Sequence, residues 1–337
     1  MARPVVLFTL QWSDLPLREV CRLAREMGYD GLELSAKHVD IPRAAQDAAY
    51  AQSILDLLEE YSLDCWSLSN HFAGQCVTDA LSGVYEPRLD SLAPKDLKGD
   101  PDAIRAWAAN EMKLTAHAAK ALGIGTVTFF TGSPVWRWWY AFPDVSKEMI
   151  EDGYRKVKEL WSPVMDEFDA CGVRLALEVH PTEIAFDYWS TKKLLDVFDR
   201  RVTLGINFDP SHLLWQGVDP AVFALDFADR IYHVHIKDTK LHLDGRNGLL
   251  GSHLPFGDPR RGWNFVSAGH GDVDFDGIIR ALNAGGYGGP LSVEWEDNGM
   301  DRVFGAREAC LFTKKINFSP SGASFDAVFA PEGGKKP

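Results

Sequence analysis

LGINFDPSH, residues 204–212, reads as a buried β-strand that ends in an acid, a bend and a histidine. Asp209 stands where the strand leaves the core, Pro210 stops the ladder because it has no N–H to donate, and His212 follows one short turn later. Three other apolar runs finish in the same way. LALEVHP (175–181) reaches Glu178 and His180, IYHVHIKD (231–238) reaches His235 and Asp238, and LSVEWED (291–297) reaches Glu294 and Glu296. Four strands with carboxylates or imidazoles at one end predict one shared site rather than four unrelated surface turns.

Working outward, strand-like runs occur at 4–12, 28–35, 63–72, 124–132, 173–180, 202–209, 230–237 and 290–295. Helix-like stretches alternate with them near 14–27, 42–60, 102–122, 146–171, 191–199, 219–228, 274–284 and from 301 onward. The rhythm never changes and no Pro/Ser-rich linker divides it, so a parallel sheet is expected. Eight such units predict an α/β fold, a single-domain (β/α)8 TIM barrel over 1–316, followed by a tail at 317–337. Two expanded loops interrupt it, an irregular one over 74–100 after the third strand and another over 239–272 after the seventh. An open doubly wound sheet would call for a GxGxxG turn after an early strand, and the chain has none. Phe318, Phe325, Val328 and Phe329 give the tail an apolar character suited to docking on the barrel or on a partner.

Charge narrows the partners. Lys and Arg number 35 against 48 Asp and Glu, a formal −13 over 337 residues, which opposes phosphate backbones and anionic membranes. Five cysteines with no CxxC spacing fit a reducing compartment and no structural zinc cluster. VVLFTL before Gln11 is too short for a signal core or a membrane span. A cytoplasmic enzyme with no nucleic-acid or membrane partner is the expectation.

Side chains two apart on a strand share a face. Glu178 with His180, Asn207 with Asp209, His233 with His235 and Lys237, and Ser292 with Glu294 and Glu296 therefore each lie on one parity; Glu33 with Ser35 and Ser69 with His71 do the same. In a barrel, polar residues near the C-terminal strand ends point into the mouth, where active sites lie. Carboxylates gathered there repel each other, and a divalent cation removes the conflict. Glu178, Asp209, His235 and Glu294 make a donor set of three carboxylates and one imidazole, suited to Mn²⁺ first, with Mg²⁺ or Co²⁺ as alternatives and Zn²⁺ ranked lower. Such an ion, chelated by a hydroxy-ketone, acidifies the C–H beside the carbonyl.

At these strand ends the sequence resembles the sugar phosphate isomerase/epimerase superfamily, the xylose-isomerase-like barrels. DPSH at 209–212, HVHIKD at 233–238 and the glutamate of VEWED carry the resemblance, which covers essentially the whole barrel. Among the ketose 3-epimerases of that superfamily, Glu, Asp, His and Glu hold one metal, matching Glu178, Asp209, His235 and Glu294. The resemblance implies that Glu178 and Glu294 move protons on opposite faces of a carbohydrate through an enediolate, and that His212 touches substrate. The chain departs from the pattern where the epimerases carry an arginine soon after the metal-binding histidine; here stand Lys237 and Lys240. Inosose dehydratases and subunits that cleave 3-keto-glycosides, C-glycosides included, use the same acidified C–H to expel a β-leaving group, so a lyase is the alternative to the isomerase.

Other residues keep more than one reading each. His180 is a catalytic base, a support for the ligands or a structural residue. His71 and Glu33 bind substrate hydroxyls or are hydrogen-bonded core groups, and Lys237 stabilises an enolate or pairs with Glu296 or Asp238. VWRWWYAFP (135–143) offers Trp138 for stacking on a sugar, or else for packing. The Arg/His-rich 240–272 stretch is solvated or recognises phosphate. A zinc apurinic endonuclease on the same barrel is set aside because TGSP replaces the histidine expected after the fourth strand, and a non-catalytic sugar-binding barrel has no use for two glutamates around a metal. Beyond a small carbohydrate, a homo-oligomer or a small partner subunit is the partner expected of the aromatic loop and apolar tail.

Overall fold

Val5–Phe8 (β1) is buried along its whole length, as a strand covered on both faces must be. In the computed structural model, which describes residues 2–81, 85–136, 142–251 and 253–322, seven more parallel strands close on it. They are Gly31–Ser35 (β2), Asp64–Ser69 (β3), Thr126–Phe129 (β4), Arg174–Glu178 (β5), Leu204–Phe208 (β6), Ile231–Ile236 (β7) and, after a separate two-stranded ribbon of Asp238–Leu241 (β8) and Trp263–Val266 (β9), Leu291–Val293 (β10). Neighbours run β1-β10-β7-β6-β5-β4-β3-β2, and the ring closes where Val5 faces Leu291 and Val6 faces Gly31. The (β/α)8 barrel expected from the rhythm of the chain is the observed fold.

Leu17–Met27 (α1), Ile41–Gln46 (α2), Ala48–Glu60 (α3), His71–Asp79 (α4), Pro101–Ala121 (α5) and Lys147–Cys171 (α6) surround the first half. Tyr188–Val197 (α7), Pro210–Leu214 (α8), Pro220–Asp226 (α9), Phe275–Ala284 (α10) and Arg302–Ile316 (α11) complete the layer. Asp40, Asp47, Asp100, Asp187, Asp219, Asp274 and Asp301 each cap a helix start by accepting from backbone N–H groups of the first turn. Part of the acidic surplus is thus helix-capping charge, favourable at the positive end of a helix.

Both expanded loops hold more order than the sequence suggests. Residues 71–79, inside and just before the stretch read as irregular, form α4, and short 3₁₀ turns follow at 87–91 and 95–97. Gly74, Val77 and Thr78 lower the intrinsic helix preference of α4, and tertiary packing overrides it: a Cβ on Gly74 would collide with the Phe130 carbonyl oxygen. Gly74→Ala is expected to push α4 off the β4 end and to destabilise the fold by roughly 2–4 kcal/mol, read as a lowered melting temperature. The 239–272 stretch carries the antiparallel β8–β9 ribbon, whose strands lie far apart in sequence with no hairpin turn to announce them. Of the tail, Phe318 is described; Asn283 donates to its carbonyl and the Arg280 guanidinium lies over its ring. All five cysteines are free. Among the described residues, no helix is long and apolar enough to cross a membrane.

Candidate active site

β5, β6, β7 and β10 bring Glu178, Asp209, His235 and Glu294 together, with one ligand-type atom of each within 4.8 Å of all the others. The four converge on His235 Nδ1, which lies 2.9 Å from Glu294 Oε2, 3.4 Å from Glu178 Oε2 and 4.0 Å from Asp209 Oδ2. Each is almost wholly buried, Glu294 most exposed at 7%. Asp209 ends β6 and caps α8: its Oδ1 accepts from Ser211 N–H at 2.8 Å and from Ser211 Oγ at 2.7 Å. Pro210 therefore serves twice, ending the strand and starting the helix that carries His212.

Two oxygens of the cluster, Asp209 Oδ2 and Glu294 Oε2, are buried and accept no hydrogen bond, a costly state for a carboxylate. His235 and Lys237 stand as ion-pair partners against one of them, Glu294 Oε2. On the other side of the imidazole, Glu33 Oε2 lies 3.1 Å from His235 Nε2. A carboxylate only accepts, so this contact holds a proton on Nε2. Burial lowers the imidazole's pKa, but Glu33 and Glu294 together outweigh it and raise it well above its ordinary value; a cation in the cluster would take the place of the Nδ1 proton. The donor set, its oxygens without hydrogen bonds and the Glu33 anchor on Nε2 fit a divalent cation.

A second polar layer lies beneath. Glu33 Oε2 also accepts from His233 Nε2 at 2.8 Å and Ser292 Oγ at 2.7 Å, while Oε1 takes Thr128 Oγ1 at 2.6 Å. Burial raises the Glu33 pKa, but His233 and His235 outweigh it and hold the carboxyl well below the usual range. Both Glu33 oxygens are engaged and the side chain is wholly buried, the surroundings of a hydrogen-bonded core group.

Glu178 is held by donors on three elements. His71 Nε2 is 3.1 Å from its Oε2, Asn207 Nδ2 is 3.3 Å from the same atom, and His212 Nε2 is 3.3 Å from Oε1. His71 opens α4 instead of extending β3, and Ser69 Oγ fixes its Nδ1 at 2.6 Å. Burial opposes ionisation of Glu178, and His212, His71 and His235 overcome it. On the far side, Glu294 Oε1 accepts from Gln11 Nε2 at 2.9 Å, and Lys237 Nζ lies 3.4 Å from Oε2. Burial resists the Glu294 charge too, yet Lys237 and His235 bring its pKa down to about 2.

Lys237 spans Glu294 and Glu296, the latter at 3.0 Å, with its ammonium 4.3 Å from the Phe265 ring centroid. Asp238 is no partner to it. Its carboxylate accepts from the N–H groups of Thr239, Gly269, Gly271 and Val273 and so ties the ribbon's return to the end of β7. His180 packs edge-on against His212, centroids 4.2 Å apart, with Nδ1 2.5 Å from the Pro181 carbonyl oxygen. Burial, His212 and Lys237 lower its pKa to about 3, so it is neutral at physiological pH. Trp138 lies outside the described residues. Its neighbour Trp136 is committed to packing, donating to the Ile184 carbonyl and meeting Phe186 edge-on.

Several basic groups after β7 have local partners. Arg246 and Arg260 pair with Asp244 and Asp258, His270 with Glu308, and Arg261 is buried against Phe256 and Trp263. Sequence reasoning missed Gln11, which a 3₁₀ turn at Leu10–Trp12 swings to both Glu294 and Glu296. It also missed Glu183, fully buried, whose Oε2 accepts from Gly132 N–H and Thr131 Oγ1. Burial first, then Asp79, push this carboxyl well above the usual range. The folded state thus holds the proton more tightly than the unfolded chain, so its contribution is full at low pH and is lost as pH rises through the folded pKa. Glu183→Gln mimics the protonated acid and is expected to flatten the fall of melting temperature as pH rises past the ordinary carboxylate range, checked by melting across pH.

Comparison with known proteins places the chain in a family. A family model described as the xylose isomerase-like TIM barrel matches residues 21–316. The rhizopine catabolism protein MocC of Rhizobium meliloti is 35% identical over 286 residues, 85% of this chain and 76% of that protein. An inosose dehydratase of Clostridium perfringens is 28% identical over 127 residues, 38% of this chain and 42% of that one. In structure, the 3-keto-D-glucoside 4-epimerase YcjR of E. coli superposes with a TM-score of 0.66 at 14% identity, covering 93% of this chain and 99% of its own. With the barrel closed, the polar strand ends gathered at one mouth and the match spanning nearly all of it, the chain belongs to the xylose isomerase-like TIM-barrel family.

Proposed function

We propose that this protein is a divalent-metal-dependent isomerase or epimerase that moves a proton beside the carbonyl of a small carbohydrate. The observation that carries this is the buried four-donor cluster with two buried carboxylate oxygens that accept no hydrogen bond. Glu178, Asp209, His235 and Glu294 would hold the ion, Mn²⁺ before Mg²⁺ or Co²⁺ and Zn²⁺ last, because three of the four donors are hard oxygens. When bound, the ion supplies polarisation of the substrate's carbonyl and hydroxyl oxygens.

The chain's own groups do the rest. Glu178 on β5 and Glu294 on β10 stand on either side of β6 and β7, so they approach a ring from two directions. One takes the proton from carbon and the other returns one to the opposite face of the enediolate. His212 and His71 orient Glu178, Gln11 and Lys237 orient Glu294, and Glu33 anchors His235 through Nε2. His180, neutral and stacked on His212, supports that ring or accepts a proton from substrate.

A second reading, β-elimination, is favoured by Lys237. Its ammonium sits beside Glu294 where it could protonate a leaving oxygen, and the inosose dehydratase match supports the same chemistry. Proton NMR in D₂O with Mn²⁺, over ketoses, inososes and 3-keto-glycosides, separates the two. Deuterium in a recovered or isomerised sugar supports the epimerase, and loss of water or an aglycone supports the lyase. Neither exchange nor loss of a leaving group with any of them sinks both.

A further inference from the structure

A cavity of about 360 Å³ is walled by Gln11, Phe256, Phe265, Glu296, Asn298 and Arg302. That volume is within the range of small-molecule sites and has room for a sugar ring. Gln11 joins it to the reacting groups: Nε2 donates to Glu294 and to Glu296, while Oε1 is buried with no partner. Phe265 joins it a second way, facing His212 edge-on at 5.4 Å and lying under the Lys237 ammonium.

The aromatic wall is built to stay still. Phe256 is 51% exposed yet stacked on Phe265, centroids 5.4 Å apart and planes 24° apart. Arg261 sits 4.3 Å from its centroid and is itself fixed by the Gly251 and Leu254 carbonyls. Asn298 donates to the Phe256 carbonyl at 2.6 Å, which clamps the segment between β8 and β9 to the loop after β10. Trp263 stacks on Trp215 behind it, 4.7 Å apart and within 1° of parallel. An exposed ring held this firmly loses little entropy when a flat or puckered ring lands on it.

Charge selects the occupant. Arg302 is taken by Asp14 and the Gln11 carbonyl, and Lys237 by Glu294 and Glu296. Among the described residues the rim therefore offers no uncommitted cation, while Glu296 and Asp297 add negative charge. A phosphate would be repelled; hydroxyls would find carboxylate and amide partners beside an aromatic face.

We propose that this cavity is a subsite for an uncharged glycosyl unit, so that the substrate is a two-ring glycoside. Its reacting ring lies over Glu178, Asp209, His235 and Glu294, and its second ring lies against Phe256 and Phe265. The placement of the reacting ring rests on the proton-transfer reading; the second ring rests on the cavity.

Isothermal titration of the full chain with Mn²⁺, using glucose, cellobiose, maltose, trehalose and 4-nitrophenyl glucoside, tests it. At least one disaccharide is expected to bind about tenfold more tightly than glucose, and Phe256→Ala, shown by melting to remain folded, to lose that advantage. Disaccharides no tighter than glucose, or an advantage that survives in Phe256→Ala, would overturn the proposal. A gain for the aryl glucoside alone would also overturn it, assigning the cavity to an aglycone. Deuterium exchange into a free ketose by the unaltered protein judges the proton-transfer reading separately, because no second ring is then present.

Discussion

Glu294→Gln is expected to lower deuterium exchange into substrate by about 10²–10⁴-fold, the usual worth of a positioned general acid or base. Glu178→Gln is expected to cost the same. The substitution keeps shape and one oxygen near the cluster but removes the proton carrier. The two variants should differ in what else they disturb. Glu178 accepts from His71 and Asn207 and has the His212 ring nitrogen 3.3 Å from its other oxygen, so a side-chain amide there turns a donor towards donors and should lower the melting temperature. Glu294 keeps Gln11 as a donor to Oε1, and its Oε2 faces Lys237 and His235. In Glu294→Gln, placing the new amide's oxygen towards Lys237 turns its NH₂ group towards Gln11, whose Oε1 has no donor of its own; Gln11 can rotate its amide to accept. Exchange followed by proton NMR in D₂O, with melting curves on both variants, checks this. Two well-folded variants that exchange at the unaltered rate would remove both glutamates from the chemistry.

Removing Gln11 gives a milder version of the same experiment. Gln11→Ala leaves Glu294 in place but takes away the donor that fixes its Oε1 and links it to Glu296. A smaller rate loss than in Glu294→Gln is expected, of order tenfold, because Lys237 still holds the other oxygen. Such a graded pair separates a group that carries the proton from one that aims it.

What the sequence revealed and hid follows from range. Period-two parity on the short strands put Glu178, Asn207, Asp209, His233, His235, Ser292 and Glu294 on shared faces, and those residues do meet inside the barrel. Parity could not say how deep each lies. Glu33 and His233 occupy the layer below, where they orient His235 instead of facing the mouth. Nor could it find contacts made by turns. Gln11 reaches Glu294 only because β1 stops at Phe8 and a 3₁₀ turn follows, where the apolar run read as a strand to residue 12. The β8–β9 ribbon was illegible for a related reason: its pairing is long-range, and Asp238, one of two ion-pair partners read for Lys237, takes its own neighbour's N–H and three more from a glycine-rich return. A Cβ on Gly271 would collide with Asp238 Oδ1, so GHGD at 269–272 was the signal available.

Chelation and Asp209→Asn are expected to have the other large effect. Asp209 is the ligand with least other work: Oδ1 caps α8 through Ser211, and Oδ2 accepts no hydrogen bond. An asparagine can still cap the helix through its oxygen, which leaves only an NH₂ to face the cluster in place of an anionic oxygen. The helix should therefore survive while the ion's site does not. Adding Mn²⁺ to chelator-treated protein is expected to raise the melting temperature, since an ion at about 100 times its Kd contributes about 2.7 kcal/mol to the folded state. In Asp209→Asn that rise should vanish, and exchange activity with it. All four donors must shed protons to bind, so the Mn²⁺ effect should weaken as pH falls. Melting needs no substrate, so this readout stands even if the carbohydrate has been misjudged. A rise that persists in Asp209→Asn would move the ion elsewhere, and a rise with Zn²⁺ but none with Mn²⁺ would reverse the preference argued from three oxygens and one nitrogen.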